Sequence, residues 1–144
     1  MPRYLPILLC LALMATFVSS ATAQDVKQYP DILSDTHGYD LSSYLAVAVK
    51  KIRQNWFNLI PAEARPPEMK RGSVSIQFSI DRDGQVFSMR LDETTGVTSM
   101  DRAAWAGIAA SNPFPRLPED FPASYVRLRI HFYYNPQKSS PPSH

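Results

Sequence analysis

The sequence lacks the residues that would mark an enzyme, a metal site or a nucleic-acid-binding surface. Its one cysteine, Cys10, and its three histidines share no metal-ligand spacing, so neither a disulfide framework nor a metal site is expected. A formal net charge of +2 does not require a nucleic-acid partner. No Gly-x-Ser-x-Gly motif and no recognisable pair of acids occur, so we expect no catalysis and no cofactor.

Long apolar runs are also scarce, and the one that is present lies at the N-terminus. It extends from Tyr4 to Val18, follows Arg3, and ends in small residues before Gln24. Because it is shorter than the roughly 20 residues of a membrane-spanning helix, it predicts a signal peptide, residues 1–23, that is cleaved between Ala23 and Gln24. The mature protein would then be exported and contain no cysteine. An uncleaved membrane anchor is the alternative.

Three later stretches predict β-strands. The first, Gly72 to Ile80, alternates between polar and apolar residues, and Asp83–Gly84 after it favours a hairpin turn because glycine accepts positive φ angles. The second runs from Gln85 to Thr94 and the third from Tyr125 to Tyr134. The apolar residues predicted to share a face are Val74, Ile76, Phe78 and Ile80 in the first strand, Phe87, Met89 and Leu91 in the second, and Val126, Leu128, Ile130, Phe132 and Tyr134 in the third.

Two stretches predict helices. The first runs from Leu41 to Ile60, because apolar residues recur there every three or four residues and the proline that follows disfavours helical angles. The second begins after Gly96, is rich in small residues that allow close packing, and ends at Asn112–Pro113. Residues 24–40 are predicted to be a short tether, and residues 136–144 a disordered tail.

This order of elements predicts an α+β fold, α-β-β-α-β, in which a three-stranded antiparallel sheet packs against the helices. A right-handed crossover of the second helix returns the third strand next to the first, so the expected strand order is second, first, third. The predicted domain spans residues 41–135. The third strand then lies at an edge of the sheet, where unpaired backbone groups can bind a strand of a partner.

Four pieces of the sequence match a known family in their order and spacing. They are Val74 to Val86, Thr95–Gly96 followed by Met100 to Ala104, Asn112 to Pro118, and Val126 to Tyr134. Together they resemble the C-terminal domain of the TonB family of periplasmic energy transducers, over roughly residues 44–135. The resemblance implies a TonB C-terminal-like fold, a periplasmic location, and a function in binding.

The resemblance also implies a kind of partner. Such domains dock on the periplasmic plugs of outer-membrane transporters and take an extended receptor segment as an added strand. The partner is therefore expected to be an envelope protein such as a transporter plug, and an open edge also permits a strand-exchanged homodimer. A solvated face that discourages aggregation is the alternative interpretation of the charged residues. The predicted partner-binding residues of the third strand are Tyr125, Arg127, Arg129, His131 and Tyr133.

The N-terminal part differs from the family pattern. A typical transducer has an uncleaved membrane anchor and a long proline-rich spacer, whereas residues 24–40 reach at most about 60 Å. That distance is short for coupling an inner-membrane motor to an outer-membrane receptor, so we expect a stand-alone periplasmic module. The alternative is a membrane-anchored energy transducer that retains its leader, faces the periplasm and engages the motor.

Overall fold

An antiparallel sheet and two α-helices make up the fold in the computed structural model, which describes residues 24–26 and 30–137. The predicted α+β class is confirmed, and the long elements follow the predicted α-β-β-α-β order, whereas two short strands before the first helix give the sheet five strands and not three. The predicted signal peptide with Ala23, and the tail from residue 138 onward, lie outside the described residues. The elements in chain order are β1 (Gln24–Val26), β2 (Asp31–Ile32), α1 (Ser42–Phe57), a 3-10 helix (Ala62–Ala64), β3 (Gly72–Asp81), β4 (Val86–Glu93), α2 (Thr98–Ala109) and β5 (Tyr125–Tyr134).

β5 lies inside the sheet and not at its edge. β3 pairs with β5 from Gly72↔Tyr134 to Asp81↔Tyr125, and β4 pairs with the other side of β3, which confirms the predicted order of the three long strands. On its outer side β5 pairs with β1 at residues 132–134 and with β2 at residues 128–129. The prediction that the third strand is an open edge is therefore wrong, because the segment predicted as a tether supplies two short strands.

β4 does not present its apolar residues on one face. Phe87 pairs with Ser79, which points away from the helices, whereas Leu91 pairs with Ile76, which points toward them. The register shifts between these pairs, and Ser88 has a φ of 55°. A bulge adds one residue to a strand and so exchanges the faces beyond it. The prediction of one shared apolar face for the second strand is wrong for this reason.

One apolar core lies between the helices and the inner face of the sheet. The nine side chains predicted to face inward from β3 and β5 are at most 1% exposed. Trp56 of α1 is fully buried, and its Nε1 donates a hydrogen bond to the Tyr134 hydroxyl at 2.9 Å, which donates to the Met100 carbonyl oxygen at 2.6 Å. Gly107 allows α2 to approach α1, since a Cβ there would lie 3.0 Å from the Trp56 Cβ.

Two buried tyrosines make the fold sensitive to alkaline pH. Burial raises the pKa of Tyr44 and that of Tyr134 to about 12, from an ordinary value of 10.0. The unfolded chain therefore loses these protons near pH 10, whereas the folded chain keeps them until near pH 12. Stability from this source is complete below pH 10 and is lost as the pH rises through that window.

We expect the free energy of unfolding to fall between pH 10 and pH 12 by about 1–3 kcal/mol per tyrosine, after allowance for solvent screening. Tyr134→Phe should roughly halve the contribution of the buried tyrosines to this slope, because it removes one of the two. Urea denaturation at several pH values measures this slope. Tyr133→Phe, at a less buried position, is the matched control and should keep it. Identical slopes in all three proteins would contradict the assignment to Tyr134.

Candidate protein-binding site

The five residues predicted to bind a partner form one row on the face of the sheet that points away from the helices. They alternate along β5 with the buried core residues. Tyr125 and Arg127 are exposed, whereas Arg129, His131 and Tyr133 are partly buried. The structure thus brings the predicted residues together, but on a face of the sheet and not at an open edge.

Asp92 of β4 organises the middle of this face. Its carboxylate accepts hydrogen bonds from Arg129 Nε at 2.9 Å, Gln77 Nε2 at 2.6 Å and Arg90 Nε at 3.0 Å. Burial pushes the pKa of this carboxyl upward, but the three donors outweigh burial, so its pKa lies below the ordinary value. Asp92 therefore stays charged and joins β4 to β5 across β3. Asp92 was not predicted from the sequence, because Arg129, one of its partners, lies two strands away across β3.

His131 connects the row to β2. Its Nε2 lies 2.8 Å from Asp31 Oδ2. Its ring lies nearly parallel to that of Tyr133, at an interplanar angle of 9° and a centroid distance of 6.4 Å. The contact with Asp31 therefore adds a side-chain hydrogen bond to the backbone pairing between β2 and β5.

Arg127 and Tyr125 are the exposed end of the row. Within the part of the chain that the structure describes, Arg127 makes no ion pair, and its Nε lies 3.5 Å from the Ser79 hydroxyl. The ring of Tyr125 meets that of Phe87 edge to face, with centroids 5.9 Å apart. This end of the face therefore offers a free cation beside an aromatic pair.

The outer edge of β5 holds β1 by side-chain anchors as well as by the ladder. Val26 is fully buried, and Arg53 Nη2 donates to its carbonyl oxygen at 3.0 Å. The Gln24 side chain donates to Asn135 Oδ1 at 3.0 Å and accepts from the Asn135 N–H at 2.9 Å. Gln24, which is predicted to be the first residue of the mature chain, is therefore anchored in the sheet, and cleavage before it stays a prediction.

Two further properties of the described residues concern other kinds of site. No group of three or more His, Cys, Asp or Glu among them is placed to hold a metal ion. No helix in residues 24–26 and 30–137 is both long enough and apolar enough to cross a membrane.

Comparisons with known proteins identify the family. The chain is similar to the solution NMR structure of the Helicobacter pylori TonB C-terminal domain, with 21% sequence identity, a TM-score of 0.45, and coverage of 72% of this chain and 91% of that one. A comparison with curated proteins gives no match. A family model described as TonB C terminal matches residues 41–132, which is more than half of the sequence. The chain therefore belongs to the TonB C-terminal domain family.

Proposed function

We propose that this protein is a periplasmic binding module, without catalytic activity, that takes an extended segment of an envelope protein as an added strand on the outer edge of β5. Membership of a family of envelope-associated domains supports the location. The observation that carries the proposal is that this edge already pairs with antiparallel strands, at residues 128–129 and 132–134. Its backbone groups therefore have the geometry that strand addition requires. The plug of an outer-membrane transporter is the partner that we expect.

An incoming strand has to replace β1 and β2. Three residues of β5 pair with β1, two pair with β2, and the backbone of Arg127 bonds to Leu33 and Ser34, whereas β5 has ten residues. A longer segment can satisfy more of the ladder, at a net gain of about 1 kcal/mol for each added hydrogen bond. Because Val26 leaves a fully buried position when β1 departs, the incoming segment must supply an apolar side chain there. This requirement gives the edge a preference among partner sequences.

The test fixes β1 in place and measures capture of a partner. Asp25 and Tyr133 are opposite each other in the register, so cysteines at these positions, in a Cys10→Ser background, can form a disulfide across the edge. β2 lies in the chain between the fixed β1 and α1, so its displacement is also restricted. With p-benzoylphenylalanine in place of His131, which lies between the β5 residues that pair with β2 and those that pair with β1, we expect photocrosslinking in intact cell envelopes to reach a periplasmic segment of an outer-membrane protein. The yield should fall at least tenfold when the disulfide is closed.

The reduced form of the same protein is the control, since it has identical side chains but a β1 that is able to leave the edge of β5. Val26→Asp is the opposite perturbation, because it weakens the anchor of β1 and should raise the crosslinking yield. Mapping the crosslinked peptide by mass spectrometry identifies the segment that was bound. A yield that does not change between the oxidised and reduced forms would overturn the proposal.

A further inference from the structure

We propose that Arg127 and Arg90 form a second binding site, for the carboxylate of an acidic segment of a protein partner, on the uncovered face of the sheet. Both arginines line an open cavity of about 320 Å³, together with Gln77, Ser88 and Met89. The cavity lies on the face of the sheet and not along the outer edge of β5. The site therefore goes beyond strand addition, and its use does not require β1 to move.

Positive charge at this site exceeds the negative charge that faces it. Arg90 and Arg129 share one carboxylate, that of Asp92, while Arg127 makes no ion pair within the described residues. The Arg90 side chain is 68% exposed and uses its Nε for Asp92, so its terminal nitrogens remain open to a ligand. Asp81, farther along β3, accepts backbone hydrogen bonds in the turn after that strand. An incoming carboxylate would supply the partner that Arg127 lacks.

An aromatic pair borders the two arginines and adds an apolar contact. Phe87 and Tyr125 are each 39% exposed. Ser79 pairs with Phe87 on one side and with Arg127 on the other, and Tyr125 is the next outward residue of β5. A ligand whose carboxylate meets Arg127 therefore places its neighbouring side chain on these rings. This arrangement favours an Asp or Glu that is flanked by aromatic residues.

An acidic protein segment fits the site better than a nucleic acid or an anionic membrane surface. The guanidinium groups of Arg90 and Arg127 can bind one or two carboxylates, because a guanidinium group donates two parallel hydrogen bonds to a carboxylate. Nucleic acids and anionic lipid surfaces are held by clusters of many cations, whereas the whole chain has a formal net charge of +2. We therefore assign the site to an acidic, aromatic peptide segment.

The test uses a defined peptide as the probe. A fluorescein-labelled peptide, Ser-Gly-Phe-Asp-Phe-Gly-Ser, blocked at both ends, is titrated with the full protein and followed by fluorescence anisotropy. The matched peptide has Asn in place of Asp. We expect saturable binding of the Asp peptide and about tenfold weaker binding of the Asn peptide, because the charge-assisted bond is lost.

Variants of the protein locate the binding. Arg127→Gln and Arg90→Gln should each weaken the Asp peptide about tenfold and leave the Asn peptide unchanged. Phe87→Ser should weaken both peptides by the same factor, since it removes the apolar contact that they share. Arg102→Gln, an exposed arginine of α2, is the matched control and should have no effect on either peptide.

Three results would overturn the inference. One is equal affinity for the Asp and Asn peptides, and another is an equal effect of Arg102→Gln and Arg127→Gln. The third is that inorganic phosphate, or vesicles that contain anionic lipid, bind at the same arginines with higher affinity than the peptide does. The oxidised Asp25→Cys, Tyr133→Cys protein should bind the peptide normally, so a failure of strand addition and a failure of this site are distinguishable.

Discussion

Gly84→Ala is expected to lower the free energy of unfolding by about 3 kcal/mol or more. Gly84 has a φ of 87°, and a Cβ there would lie 2.0 Å from the Phe114 carbonyl oxygen. The Phe114 N–H donates to the Gly84 carbonyl oxygen at 2.8 Å, so the turn after β3 and the loop after α2 are in direct backbone contact. A methyl group at this position forces them apart. The hydrogen bond is then lost, and the buried Phe114 ring becomes accessible to water.

Gly96→Ala is the matched control for the backbone conformation alone. Gly96 has a φ of 79°, close to that of Gly84, but no atom lies within 4 Å of a Cβ built on it. Gly96→Ala should therefore lower the free energy of unfolding only by the cost of holding alanine in the left-handed conformation, about 1–2 kcal/mol. Urea denaturation of the two variants separates the two contributions. Equal losses of stability would contradict the steric argument for Gly84.

The long strands are predictable because each carries its own periodic signal. Along β3 and β5, apolar and polar residues alternate over ten residues each, and alternation of that length fixes which side chains face the core. The hairpin turn is predictable for a similar local reason, since Asp83–Gly84 favours it. These elements also contain two of the four pieces that resemble the TonB C-terminal family, residues 74–86 and 126–134.

The coverage of the β5 edge could not be predicted from the sequence. β1 and β2 have three and two residues, which is too short for any alternation to be recognised. Their pairing is also distant in sequence, since Gln24 lies opposite Tyr134. The anchor is one valine, Val26, inside a polar segment, and a single apolar residue there gives no reason to expect burial.

The chemistry of the uncovered face was predictable only in part. Alternation along β5 placed Arg127, Arg129 and His131 on one face, and they do lie there. Which of these side chains has a carboxylate partner depends on the other strands. Asp92 of β4 contacts Arg129, and Asp31 of β2 contacts His131. Those partners are set by sheet register, which in β4 is shifted by the bulges. Arg127 is therefore distinguished from the other two only by the tertiary structure.

The two tryptophans provide the second large prediction, because one is buried and the other is exposed. Trp56 is 0% exposed, while Trp105 is 39% exposed. The Trp56 ring meets Phe132 and Tyr134 at centroid distances of 5.1 Å each. Trp56→Ala should therefore lower the free energy of unfolding by about 4 kcal/mol. Trp105→Ala removes a side chain that water already reaches, so we expect a loss of less than about 1 kcal/mol.

Trp56→Phe separates the hydrogen bond of this ring from its packing. It keeps an aromatic ring against Phe132 but removes the Nε1 donor to the Tyr134 hydroxyl, which can still donate to the Met100 carbonyl oxygen. The loss should then be about 1–2 kcal/mol, well below that of Trp56→Ala. Urea denaturation followed by far-ultraviolet circular dichroism measures all three variants without relying on tryptophan fluorescence. A loss of stability for Trp105→Ala as large as that for Trp56→Ala would mean that Trp105 belongs to the core. It would contradict the assignment of buried and exposed faces to the two helices.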